Sequence, residues 1–243
     1  MKRHYYLYIP GRKTLLSLCL FLALLATLSG IAFAAPVPGE SSSEAVETDT
    51  AVQDSSEESL PAYSITLADE GSSSDCGSVL IEGSRVTITE SGDYTLSGSL
   101  SDGQLVVSTD KENRVQLRLN GVSISSSSSA ALYVISAERV VIVLEEGTEN
   151  SLSSTGSFVQ TDDNKVDGAI FSKDDMTIRG SGRLNILCAE GHGIVGKDDL
   201  KIKSGEIFVI SSKKGISAND TLEIADGSLS IHADTEGLEA TEV

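Results

Sequence analysis

The segments SKDDMTI (Ser172–Ile178) and GKDDLKI (Gly196–Ile202) place a lysine and two adjacent aspartates at the same point of two stretches 24 residues apart. ANDTLEI (Ala218–Ile224) repeats the pattern in weaker form. Carboxylates recurring at a fixed period supply hard oxygen donors, the ligand type that calcium takes. Asp174, Asp175, Asp198 and Asp199 are therefore candidate metal ligands, and Lys173 and Lys197 are candidate contacts to a bound ligand. The competing reading is turn chemistry, in which each aspartate bonds its own backbone at a strand corner. Asn219-Asp220 in the third copy fits that reading. A second acidic group, Asp162, Asp163 and Asp167, lies in a loop just before the first copy. Its Asp163-x-Lys165-x-Asp167-Gly168 run is similar to half of an EF-hand loop, but the lysine at the third position and the lack of flanking helical patterns exclude an EF-hand. The loop stays an oxygen-rich calcium candidate.

These residues need elements that repeat. Ala169, Gly193, Gly215 and Gly237 are spaced 24, 22 and 22 residues, and each opens a short alternating segment. A second register runs through Gly182, Gly205 and Gly227. Periods near 22 built from short strands indicate a solenoid, in which one turn cannot bury its apolar row without neighbours above and below. Alternation assigns Ile170, Met176, Ile178, Leu184 and Ile186 to the inside of one turn, and Ile194, Leu200, Ile202, Ile207 and Val209 to the inside of the next. Asn120-Gly121 fits a corner between two strands of one turn better than a hairpin. The predicted fold is all-β, a right-handed parallel β-helix of about 22 residues per coil over residues 63–243. Such stacking sets Asp174 over Asp198, and Asp198 over Asp220, roughly 4.8 Å apart. Two carboxylates at that distance repel by about 3–4 kcal/mol at an effective dielectric near 20. Solvent, Lys173 and Lys197, or a bridging calcium ion each offer relief.

The rest of the chain bounds the function class. Lys2, Arg3, Arg12 and Lys13 precede an apolar run from Leu15 to about Ala26, and Ala32-Phe33-Ala34 supplies a small-residue cleavage box. Residues 1–34 therefore have the form of a secretory signal peptide, and a secreted or cell-surface protein is expected. Left uncleaved, the same segment would be the chain's only route to a membrane. Residues 35–62 form a Ser-rich acidic linker, with seven acids and no base between Gly39 and Ala62. The chain carries a net charge of −18, and the body beyond the linker keeps 14 bases against 29 acids. That balance excludes nucleic-acid binding by phosphate neutralisation. Cys76 and Cys188 are too few for a disulfide framework, and no zinc-type spacing occurs.

The runs YTLSGSLSDGQLVV, LRLNGVSISSSSSAALYV, VVIVLEEGTENSL, DGAIFSKDDMTI and GHGIVGKDDLKI follow one another between Tyr94 and Ile202. From about Ile65 onward the chain resembles the secreted bacterial carbohydrate-binding domain family with a pectate-lyase-like β-helix. The resemblance implies a right-handed parallel β-helix, bound calcium, and a plant cell-wall polysaccharide such as polygalacturonate or cellulose as partner. It also implies a binding module rather than an enzyme, with further coils expected beyond Val243. Outward parity makes Phe171 and Tyr133 candidate sugar-stacking contacts. The chain has no Trp, and so weak an aromatic supply favours an acidic polymer held through calcium over a crystalline glucan. A polysaccharide lyase would need calcium and a Lys or Arg base; Lys173, Lys197, Arg179 and Arg183 are available without a diagnostic arrangement. A surface scaffold with no sugar ligand is the third reading.

Overall fold

A computed structural model of the protein describes residues 3–9 and 59–242. The described chain is all-β, and the great majority of its strands pair in parallel. β-Branched and aliphatic residues at alternate positions make short strands, and Gly, Asn, Ser and Asp interrupt them. The chain visits three stacks of strands in fixed order. The first stack holds Arg139–Leu144, Asp175–Gly180, Leu200–Ile202 and Leu222–Ile224. The second holds Glu149–Ser154, Arg183–Cys188, Glu206–Ser211 and Gly227–Ala233. The third holds Leu132–Ser136, Gly168–Ser172, His192–Gly196, Ile216–Ala218 and Leu238–Glu239. Two longer strands, Gly92–Leu100 and Arg114–Ser126, run through both the first and second stacks. They join those stacks into one curled 13-stranded sheet, while the third is an eight-stranded sheet.

The register confirms the alternation read from the sequence. Ile170 pairs with Ile194, and Ile194 with Ile216. Met176 pairs with Leu200, and Leu200 with Leu222. Ile170, Met176, Ile178, Leu184 and Ile186 are each at most 1% exposed, inside one core shared by all three stacks. Each such side chain contributes about 1.5–3 kcal/mol by leaving water. Cys188 belongs to this core as a small apolar residue, and burial pushes its thiol up to about 11. The 24-residue turn exceeds the 22-residue turn by one residue at each of two corners. One corner joins Ile178 to Arg183, against Ile202 to Glu206; the other joins Cys188 to Ile194, against Ser211 to Ile216.

Asn120-Gly121 is a corner, as expected, and Gly121 takes φ +75° where the strand bends from one stack to the next. The corner is fixed by Asn150, which is 0% exposed. Its Oδ1 accepts from the backbone N–H of Gly121 at 3.0 Å and of Val122 at 2.8 Å. Its Nδ2 donates to Thr148 Oγ1 and to the Arg183 carbonyl. One amide thus ties three successive turns together.

Arg3–Ile9 forms a strand antiparallel to Gly227–Ala233. It falls inside the segment expected to be a signal peptide. Residues 10–34 of that segment, and the linker as far as residue 58, lie outside the described residues. Among the described residues no helix is long and apolar enough to cross a membrane.

Replacing Asn150 by Ala leaves the buried Val122 N–H and the part-buried Gly121 N–H without this acceptor. Asn150→Ala should lower the unfolding free energy by roughly 2–4 kcal/mol, measured by urea denaturation.

Candidate functional site

The corner from the third stack to the first carries the Lys-Asp-Asp repeat. Its backbone is bonded turn to turn: Lys197 N donates to the Ser172 carbonyl at 2.8 Å and Asn219 N to the Gly196 carbonyl at 2.9 Å. Met176 N and Leu200 N donate to the Asp199 and Thr221 carbonyls, each at 2.9 Å. The three copies are therefore locked in a column, and their side chains cannot drift apart.

Within the column the aspartates differ. Asp174 is buried; its Oδ1 accepts from Lys111 Nζ at 2.7 Å and its Oδ2 from the Ala137 N–H at 3.0 Å. It acts as a corner staple, bonding the neighbouring turn rather than its own. Its counter-charge is Lys111, 63 residues away, and not Lys173 as the local sequence suggests. Asp199 Oδ1 accepts from the Thr221 N–H at 3.2 Å. Asp198 is the strained member: burial, and then the charges of Asp175 and Asp220, hold its carboxyl above the usual carboxylate range. The Asp220 carboxylate thus stands close enough to Asp198 to oppose its ionisation. Lys197 gives no relief there, because its Nζ sits 5.3 Å from the centre of the Phe171 ring. Lys173 faces the loop, where its charge acts on Asp162. A hollow of about 450 Å³ opens beside Asp220, lined by Ser217, Asn219, Glu239 and Thr241 among others.

Phe171 and Tyr133 have the outward parity expected of them, but they are 0% and 1% exposed. Residues 155–167 fold across them, and Val166 and Phe158 complete a second small apolar cluster outside the third sheet. The two rings meet edge to face, with centroids 5.7 Å apart. Neither ring offers a free face to a sugar, which corrects the expectation that they form a stacking platform. A loop that looked like a cation loop in sequence is the cover of this cluster. The Tyr133 hydroxyl donates to Asp162 Oδ2 at 2.6 Å, and the Asn164 N–H donates to Asp162 Oδ1 at 2.9 Å. Burial would raise the Asp162 carboxyl, but these hydrogen bonds outweigh it and hold the group below its usual range.

Asp163 is exposed on the same loop. Asp167 points its Oδ2 at His192 Nε2, 3.6 Å away, and its buried Oδ1 has no partner among the described residues. His192 Nδ1 accepts from the Lys214 N–H at 3.2 Å, so the neutral ring carries its proton on Nε2 and is not free to act as a base. Burial keeps His192 below its usual pKa against the opposing pull of Asp167. The seven aspartates expected to bind metal thus fall into two separate groups, the column and the loop. Among the described residues no three His, Cys, Asp or Glu side chains converge as a metal site. The column offers carboxylate oxygens in short supply of positive charge, and a cation there would need further ligands from outside the protein.

A family model described as a carbohydrate-binding domain-containing protein matches residues 82–243. The chain belongs to this family. A carbohydrate-binding domain-containing protein from Acetivibrio thermocellus is 42% identical over 127 residues, 51% of this chain and 44% of that relative. The chain thus matches less than half of the relative's length. The solved structure of a polysaccharide lyase-like protein from C. thermocellum, a gadolinium derivative, superposes with a TM-score of 0.65 at 26% identity. That match covers 75% of this chain and 95% of the other. Of the outward rings, Tyr133 and Phe171 are covered, while Phe208 is only half-buried.

Because its folded pKa lies above the unfolded value of 3.8, Asp198 favours folding in acid, and this contribution is lost as the pH rises through the folded pKa. Asp198→Asn removes the repulsion at nearly the same side-chain size. Its melting temperature should exceed the wild type's at neutral pH, with the gap closing as the pH falls toward 3.8. Parallel melting curves across that range would mean that the carboxylates do not interact.

Proposed function

We propose that this chain is a non-catalytic, secreted module that binds an acidic plant cell-wall polysaccharide of the polygalacturonate type. Its curled parallel sheets wind as a right-handed β-helix, a reading supported by the fixed order of the three stacks and the 22-residue turns. The observation that carries the function is family membership across residues 82–243. The polymer class follows from charge. An acidic body and a polyuronate repel each other unless a cation lies between them. Calcium is the proposed cofactor, bridging from the Asp198 carboxylate to carboxylates of the polymer, which complete a shell that the protein leaves unfinished. A bound cation would relieve the repulsion that raises Asp198.

The lyase-like description of the structural neighbour favours a second reading, a polysaccharide lyase. Against it, Arg179 is bonded to Gln116 and Arg183 to Glu206, each at 2.7 Å, and Lys197 lies over an aromatic ring. None of these bases stands free beside the carboxylate column.

The full chain should be retained on immobilised polygalacturonate in calcium and released by chelator, with cellulose as the comparison and unsaturated uronides assayed in the eluate. Calcium-dependent retention without uronides is the expected result. Uronide release would make the protein a lyase, and retention on neither polymer would make it a scaffold.

A further inference from the structure

A groove of about 320 Å³ lies away from the carboxylate column, between the corners of the early turns and the covering loop. That volume is near the lower end for small-molecule sites. The floor is backbone packed on backbone. Gly103 N donates to the Ser125 carbonyl at 2.8 Å, and a Cβ on Gly103 would lie 2.4 Å from the Ser84 carbonyl oxygen. Side chains stand around that floor, and their chemistry is mixed. Arg85 is half-buried and makes no hydrogen bond or ion pair among the described residues. By contrast Arg114, Arg118, Arg179 and Arg183 are each held by a side-chain acceptor. Among the described residues Arg85 stays unpaired although Asp102 lines the same groove and Glu82 is its partner in the strand register.

The other groups are set in place. Asp102 is held by the Ser127 N–H at 2.9 Å and the Ser127 hydroxyl at 2.8 Å, which leaves lone pairs for further donors. Gln104 is 8% exposed, and its Nε2 donates to Ser129 Oγ at 2.9 Å and the Ala130 carbonyl at 2.8 Å. Its Oε1 is therefore fixed as an acceptor. The hydroxyls of Ser128 and Thr161 have no partner among the described residues. Val159, 61% exposed, supplies an apolar ledge from the loop.

We propose that this groove is a subsite for one uronate unit of the polymer, with Arg85 taking its carboxylate. Asp102 and Gln104 accept from sugar hydroxyls, and Val159 meets a C–H face. A multiply charged anion such as phosphate would meet the Asp102 carboxylate, and a neutral sugar would leave the Arg85 fork unmatched; a uronate satisfies both. The inference rests on the polysaccharide-binding reading.

The test is heteronuclear NMR titration of the full chain, in chelator, with galacturonate and separately with galactose. Arg85→Gln and the conservative Arg85→Lys are run alongside, with melting curves to confirm folding. Galacturonate should shift groove resonances and galactose should do so at least about tenfold more weakly. Arg85→Gln should abolish that preference and Arg85→Lys should keep part of it. Equal response to both sugars, or a preference unchanged in Arg85→Gln, overturns the assignment. No response to either sugar, from protein still retained on polygalacturonate in calcium, overturns the subsite alone. Loss of that retention as well overturns the binding reading on which the subsite rests.

Discussion

In-register parallel stacking is the constraint on which everything else in this protein depends. Each turn sets its side chains about 4.8 Å from those of the next, so every outward residue has a neighbour whose charge it cannot avoid. Some columns solve this by alternating sign or by pairing. Glu149, Arg183 and Glu206 stand in one column, and Arg183 reaches Glu206 at 2.7 Å. Lys201 and Glu223 share another, 3.9 Å apart. Exposed pairs of this kind add little stability singly, but they remove a repulsion that would otherwise recur at every turn. At the Asp198 corner the backbone instead holds like charges together, and on the proposed function this local conflict is what a ligand would relieve.

The inward row and the period were legible in the sequence because burial by stacking demands strict alternation, and nothing else in the chain competes with it. Ile170, Ile194 and Ile216 sit where parity places them, and Asn120-Gly121 turns a corner as its chemistry requires. What escaped was set by contacts between distant turns. Lys111 reaches Asp174 across 63 residues, and no local spacing announces that pair. Asn150 carries no motif, yet it fixes a corner 29 residues earlier. The loop over Tyr133 and Phe171 reads as acidic and turn-like, and its few apolar members, Phe158 and Val166, gave too weak a signal to show that it packs face-down. Parity identified the outward rings correctly, but parity cannot tell an outward ring that is exposed from one that is covered.

The covering loop changes what kind of carbohydrate this surface suits. Flat stacking against sugar rings needs open aromatic faces, and two of the chain's outward rings are closed off. Phe208 is half-buried, and around it stand carboxylate, hydroxyl, amide and guanidinium groups. On the proposed function, such a surface would take a hydrated, charged chain that brings its own carboxylates to a shared cation. Asp174 serves the scaffold, bonding Lys111 and Ala137, whereas among the described residues no hydrogen bond to the Asp198 side chain ties one turn to the next.

The most direct measurement is a calorimetric titration of calcium into the full chain, once alone and once with soluble polygalacturonate, against a blank of polymer alone. If the protein and the polymer each supply part of the coordination shell, calcium binds weakly to the chain alone and distinctly more tightly to the mixture than to either component, and by linkage the polymer binds more tightly in calcium. Calcium affinity unchanged by the polymer, whether strong or absent, would contradict a shared shell and leave the Lys-Asp-Asp column as corner chemistry.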